Sequence, residues 1–390
     1  MRCQNAPRVL ILDGFWNKSL AAVRSLGGRG FFVAAGECTR FAPALFSRYC
    51  RRRFIHPSVT GRPEEFLVAL EREIVAGHYD VLLPMELPTQ LLVTKHRERL
   101  EAMVRIPFAD ANLALRVHDK GFLTTFAMKQ GIQCPATFLP RGPEQAAEMA
   151  AELPYPVLIK PRHSSGGRGL VRVEREADLL PSYAKVHARY PMPIVQECIP
   201  PGGKALGVAV LMNYASEPRA SFVYRRLREY PISGGPSTLR ESIWNPELQQ
   251  CAERLLSSLG WVGVAMVEFK EHPRDGRPKL LEVNPRFWGS LHHAIVCGVD
   301  FPFLLSSLAM HGDVARVHGY RVGVKSRSLL HGDLLHFLAS SDRFRLKPAF
   351  YDFSISDDVL SADDPLPTLG RVFSLVALLG DRGLRAIALG

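Results

Sequence analysis

Glu268, Glu282 and Asn284 are the residues whose types and spacing point most directly to chemistry. Two apolar runs, 262–270 and 279–284, flank the turn-rich segment 271–278 and read as a β-hairpin. With the turn centred on Asp275, Glu268 and Glu282 stand opposite one another on one face, roughly 5 Å apart. Their neighbours Val267, Leu281 and Val283 are apolar, so desolvation sharpens the repulsion between the carboxylates unless a cation sits between them. Asn284 lies two residues past Glu282 and projects from the same face. Such hard oxygen donors suit Mg²⁺ or Mn²⁺, with coordination positions left for phosphate oxygens and water. The competing reading pairs Glu268 with a nearby arginine and leaves Glu282 facing solvent on an edge strand.

A second constellation is a strand, 157–160, that ends in Lys160 and runs into Pro161-Arg162-His163-Ser164-Ser165-Gly166-Gly167-Arg168-Gly169. Small residues there let backbone N–H groups form a concave nest for phosphates. The lysine precedes the glycines on a strand, whereas a P-loop places it after them at a helix start. A plain glycine turn would not explain the charge at the end of an apolar strand. Further on, Arg226 and Arg228 fall on one face of the strand 219–228 and Arg225 on the other, a spacing that could clamp a carboxylate or acyl phosphate or could equally be solvated. The small-residue loop Ser233-Gly234-Gly235-Pro236-Ser237 suits a closing lid. Arg51-Arg52-Arg53 reads as a solvated turn or strand edge, and His292-His293 as packing or surface residues; neither is given a role.

The elements that must position these residues fall into two textures. Through residue 110, short apolar runs (9–12, 31–35, 81–83) alternate with helical patterns (18–26, 63–75, 87–100), the signature of a parallel sheet wrapped by helices. The turn after the first strand, Asp13-Gly14-Phe15-Trp16, has no G-x-G-x-x-G, which speaks against dinucleotide binding. Beyond residue 110 the pattern is α+β: helices at 119–130 and 144–152, strands at 157–160 and 170–173, a helix at 177–189, strands at 194–198, 205–213 and 219–228, and a helix at 246–259 before the hairpin. The tail past residue 319 carries no usable motif.

At 390 residues, 47% hydrophobic and 22% charged, the chain is long enough for several packed modules and too apolar to be disordered. The net charge of +11 comes from arginines spread along the chain and not gathered beside aromatics, so a polyanionic small molecule is expected and nucleic acid is not. Seven scattered cysteines without a C-x-x-C pair fit reduced thiols in a cytoplasmic protein. No run approaches the ~20 apolar residues of a membrane span. The apolar stretch 372–379 could touch a membrane surface, though a short packed helix is the preferred reading.

Taken together, these motifs resemble the ATP-grasp enzymes, with similarity over roughly residues 1–310. The resemblance implies a Rossmann-like N-terminal pre-ATP-grasp domain (1–110), an ATP-grasp domain (111–318) of α+β subdomains sandwiching ATP, with 135–200 as the smaller lid subdomain, and a C-terminal extension (319–390) of unassigned role. It implies that Lys120 contacts the phosphates and Lys160 the α-phosphate region, and that Ser164, Ser165, Gly166, Gly167 and Gly169 fold over the phosphates. The adenine edge would meet the hinge at Gln196, Glu197, Cys198 and Ile199. Glu268, Glu282 and Asn284 would hold Mg²⁺ or Mn²⁺, and Arg286 would steady the transferring phosphate. The segment 202–207 lacks the acidic residue that often holds the ribose. Ser290 stands where biotin-dependent carboxylases carry a glutamate base, which favours joining a small-molecule carboxylate to an amine acceptor through an acyl phosphate over a carboxylase or carbamoyl-phosphate-forming enzyme; a nucleotide-binding regulatory protein that has kept the fold without the acceptor chemistry is the alternative from another class. A homodimer stays open.

Overall fold

The computed structural model describes residues 6–164, 166–232 and 234–380, and among these the strands form separate sheets of three kinds. The first is all parallel, in the order β3-β2-β1-β4, from β1 (Arg8–Ile11), β2 (Phe32–Glu37), β3 (Cys50–Ile55) and β4 (Val81–Leu83). Its central strand is fully buried at Val9, Leu10 and Ile11 because helices such as Asn17–Gly28 and Pro63–Gly77 cover the faces. The pattern 87–100 is not one helix. It breaks at His96 into Leu87–Lys95 and Arg97–Glu101, and Arg97 turns to the carbonyls of Ile106 and Phe108. The arginine triplet lies on β3, at the edge of this sheet.

The second sheet is small and antiparallel, ordered β5-β8-β6-β7, from β5 (Thr137–Phe138), β6 (Val157–Lys160), β7 (Val171–Val173) and β8 (Ile194–Glu197). It has its own core of Val157, Ile159, Val173, Leu179, Tyr183 and Val195, closed by the helix Leu179–Arg189.

The third sheet is seven-stranded, ordered β13-β12-β9-β10-β11-β14-β15. It comprises β9 (Ala205–Met212), β10 (Pro218–Glu229), β11 (Ser237–Ser242), β12 (Gly263–Glu271), β13 (Pro278–Asn284), β14 (Lys325–Arg327) and β15 (Ser356–Asp357), antiparallel except for the β14–β15 pair. One face packs Val208, Val210, Val223, Ala265 and Val267 against the helix Pro246–Ser258 and residues such as Ala114, Val117 and Leu123. The other face joins Leu211, Phe222, Tyr224, Val264 and Met266 to the core of the parallel sheet. Residues past 319, to which the sequence assigned no role, thus add strands to this sheet. They are also tied back by buried ion pairs, Arg228–Asp333 and Arg240–Asp358.

No single described helix is long and apolar enough to cross a membrane. The apolar pair Leu291–Cys297 and Phe301–His311 is bent by 87° and lies mostly in the core.

Candidate functional site

The hairpin β12–β13 sets Glu268 opposite Glu282 in register. A bulge makes this so. Nearer the turn Phe269 pairs with Leu280 and Lys270 with Lys279, and Leu281 is left without a cross-strand partner before Glu282 meets Glu268. Gly207 on β9 pairs with both Glu268 and Tyr224, which extends the same face onto β10. Asn284 Nδ2 donates to Glu268 Oε1 at 3.0 Å and to Glu282 Oε1 at 3.4 Å.

Both carboxylates are answered by cations of the chain. Arg226 pairs with Glu268, and Lys120 Nζ lies 3.1 Å from Glu282 Oε2. The arginine pairing of the competing reading is therefore present, but Glu282 does not simply face solvent. Burial and the nearby Glu282 charge raise the Glu268 pKa although Arg226 opposes them. Burial also pushes Glu282 up, yet Lys120 and Lys160 prevail and hold it below its ordinary value. With both charges compensated, electrostatics alone does not demand a metal. The donor set does fit one: carboxylates share a face, and the Asn284 amide presents either its nitrogen or, flipped, its oxygen to the same point. Among the described residues no group of three or more His, Cys, Asp or Glu side chains could hold a metal, so Asn284 is needed to complete this set.

Lys120 opens the helix Lys120–Lys129, whose N-cap Asp119 accepts from the N–H of Gly121 and Phe122 and is held by Arg162. That cap fixes Lys120 Nζ 2.5 Å from the Ser164 carbonyl, so one ammonium joins the glycine loop to the paired carboxylates. Gly166, Gly167 and Gly169 have φ of 66°, 75° and 70°, left-handed positions that strain any residue with a Cβ. A Cβ placed on Gly167 would lie 3.7 Å from Gly234 O, so this loop abuts the proposed lid loop. Ser165 and Ser233 lie outside the described residues.

At the end of β6, Lys160 Nζ donates to Gln196 Oε1 at 2.7 Å. Burial, and then the Lys120 charge, lower its pKa to about 8. Gln196 is buried and donates in turn to Thr137 Oγ1. In the following segment Cys198 N–H is spent on Pro156 O, whereas Ile199 N–H has no partner among the described residues. The Glu197 side chain accepts from Ala136 N–H and pairs with Lys279 at 2.8 Å.

Arg286 reaches toward Glu86, with Nε 3.5 Å from its Oε2, and Glu86 pairs with buried Lys18 at 2.7 Å. Lys18 also donates to Phe287 O, and Gln90 to Pro285 O. Burial opposes ionisation of Glu86, but Lys18 and Arg286 hold its pKa down. Sequence reasoning missed Glu86, Lys18 and Lys279. The signal for Glu86 was its place just past the carboxyl end of a parallel strand, where ligand crevices form.

Arg228 is not brought to this cluster. Register shifts on both sides of it break the alternation that would have put it beside Arg226. It lies buried, paired with Asp333 at 2.8 Å and donating to Pro348 O, where it anchors the C-terminal segment. His293 is fully buried among Phe222 and Tyr224, and burial drops its pKa to about 2, so it is neutral. His292 bonds Ser356 Oγ at 2.9 Å.

A strand lysine, a glycine loop and a carboxylate hairpin, set between a small antiparallel sheet and a large one, define the ATP-grasp fold. A family model described as ATP-grasp in the biosynthetic pathway with Ter operon matches residues 217–328. Acetyl-CoA carboxylase of Saccharomyces cerevisiae is 29% identical over 188 residues, 46% of this chain and 8% of the relative. The C-terminal section of the carbamoyl phosphate synthase large chain of Methanopyrus kandleri is 26% identical over 196 residues, 48% of this chain and 36% of the relative. The chain thus spans a minor part of these curated relatives. The structure of a biotin carboxylase–β,γ-ATP complex from Campylobacter jejuni superimposes with a TM-score of 0.69 at 16% identity, covering 83% of this chain and 75% of that one. The chain belongs to the ATP-grasp superfamily.

Proposed function

We propose that this chain is an ATP-dependent carboxylate–amine ligase: a substrate carboxylate takes the γ-phosphoryl group of ATP, giving ADP and an acyl phosphate, and an amine then displaces phosphate. The observation that carries the reading is Lys120, whose ammonium spans the glycine loop and the Glu268–Glu282 pair and so marks where phosphates would lie between them.

In this reading Lys160 and the N–H groups around Ser164 to Gly169 hold the nucleotide phosphates, while the free Ile199 N–H meets the base edge. Arg286, oriented by Glu86, faces the charge that spreads over the transferring phosphoryl group, and Arg226 receives the carboxylate or its acyl phosphate. Glu268, Glu282 and Asn284 would hold Mg²⁺ or Mn²⁺, which when bound neutralises phosphate charge. The chain supplies electrostatic stabilisation and positioning, and no covalent nucleophile is required of it. The abutting glycine loops would exclude water from a hydrolysable acyl phosphate. The described cysteines are free thiols, which supports a cytoplasmic setting.

A carboxylase, with bicarbonate as the carboxylate, is the second reading, favoured by the similarity to acetyl-CoA carboxylase and to biotin carboxylase. Coupled ADP release separates the two when measured against a panel of amino acids and other carboxylates, with and without amines, and against bicarbonate. Release that needs a carboxylate and rises with an amine supports the ligase. Release driven by bicarbonate alone overturns it in favour of the carboxylase, and nucleotide binding with no stimulated release overturns both.

A further inference from the structure

The arginine triplet and the apolar C-terminal run, both left without a role by the nucleotide chemistry, lie on one surface. The described side chains of the helix Leu366–Gly380, residues 366–374, are inverted relative to an ordinary surface helix. Its small and polar residues Pro367, Gly370, Arg371 and Ser374 face inward, with Arg371 2% exposed and Ser374 fully buried. A Cβ on Gly370 would come within 2.7 Å of the Phe46 ring, so the close approach of this helix to Pro43–Phe46 depends on the glycine. Leu366, Leu369, Val372 and Phe373, at helical spacing, face solvent instead. Exposed Phe41 continues the stripe, its ring 6.4 Å from that of Phe373, which is equally far from Phe46.

The rim of this stripe is basic. Arg53 lies 5.8 Å over the Phe46 ring and shares its side of the edge strand β3 with exposed Ile55, while Arg51, exposed too, is the residue that the β2–β3 ladder skips. Arg40 adjoins Phe41. Arg48 and Arg52 are paired with Asp363 and Glu73, whereas Arg40, Arg51 and Arg53 have no acidic partner among the described residues.

We propose that this face docks on an anionic lipid bilayer, with the Leu366–Phe373 stripe and Phe41 at the headgroup–acyl boundary and Arg40, Arg51 and Arg53 on lipid phosphates. At 15 residues the helix is about 22 Å long, short of the ~30 Å hydrocarbon core, so it lies along the surface and does not cross. A second copy of the chain fits less well, because a two-fold contact through this patch would press the unpaired arginines of the copies together.

Sedimentation of the full chain with vesicles tests the proposal. It is expected to bind phosphatidylcholine vesicles containing about a third phosphatidylglycerol and not phosphatidylcholine alone, with release by high salt. Arg51→Gln and Arg53→Gln should each lower the partition coefficient about five-fold, and Phe373→Glu at least about ten-fold, with unchanged melting and unchanged Mg-ADP affinity. Failure to bind anionic vesicles, or equal binding to both kinds, overturns the proposal. So does Phe373→Glu converting a dimer to a monomer while vesicle binding stays the same, which would assign the face to a second copy.

Discussion

Lys160 gives the sharpest test of the phosphate site. Its ammonium is pushed by burial and by Lys120 to a pKa of about 8, and its hydrogen-bond partner among the described residues, Gln196 Oε1, is neutral. Phosphate oxygens placed beside it would restore the charged form, so nucleotide binding takes up a proton wherever free Lys160 is neutral. Affinity is then full below pH 8 and falls above it. Between pH 7 and pH 9 the charged fraction drops about ten-fold, so the Mg-ADP dissociation constant should rise about ten-fold. The linkage to folding has the opposite sense. A folded pKa of about 8 against 10.5 unfolded penalises the native state below pH 8, and the penalty fades as the pH rises from 8 to 10.5. Lys160→Met removes that penalty, about 3 kcal/mol before the screening allowed by the partial exposure of the side chain, and leaves Gln196 Oε1 unpaired at a cost of about 1 kcal/mol. A net gain on the order of 1 kcal/mol at pH 7 is expected, together with weaker nucleotide binding. Titration calorimetry from pH 7 to 9, with urea melts of both proteins, checks each arm. A wild-type dissociation constant that is flat with pH, or a slope that survives in Lys160→Met, refutes the reasoning.

Glu282→Gln should keep the fold and lower ATP turnover by about a hundred-fold or more, since it removes a charge that faces Lys120 and the proposed metal; ADP release beside a thermal melt measures both. Arg228→Met should cost about 3–5 kcal/mol by stranding Asp333 in the core, with much of that loss recovered by adding Asp333→Asn, and equilibrium urea unfolding of the single and double variants tests it. Gly207→Ala should cost about 1–3 kcal/mol, because its Cβ would sit 2.5 Å from the buried Tyr224 ring, and a urea midpoint equal to that of the wild type would contradict the packing described.

What could be read from the sequence followed periodicity. The alternation of apolar runs and helices yields the parallel sheet, because the chain obeys that local regularity. The hairpin is legible in the same way, but Glu268 meets Glu282 only because the ladder skips Leu281, so a regular hairpin centred on Asp275 reaches that pair with the register nearer the turn one residue off. Arg228 was set beside Arg226, and Lys279 was passed over, where bulges interrupt the period of two. Glu86 and Lys18 escaped for a different reason. Their contact with the Arg286 segment joins residues about 200 or more positions apart, and no local pattern encodes which face of one sheet meets the end of another. The strands β14 and β15 are short and charged, so their pairing became visible only beside β11.

Leu281, the residue the ladder skips, changes what a single strand can address. Lys279 and Glu282 are an odd number of positions apart, and in an unbroken strand they would look out on opposite sides of the sheet. Because their partners Lys270 and Glu268 are an even number apart on β12, the skipped leucine turns that odd interval into an even one. One short strand therefore reaches both the Glu197 hinge, through Lys279, and the paired carboxylates, through Glu282. The two ends of a bound nucleotide would be measured against the same ruler.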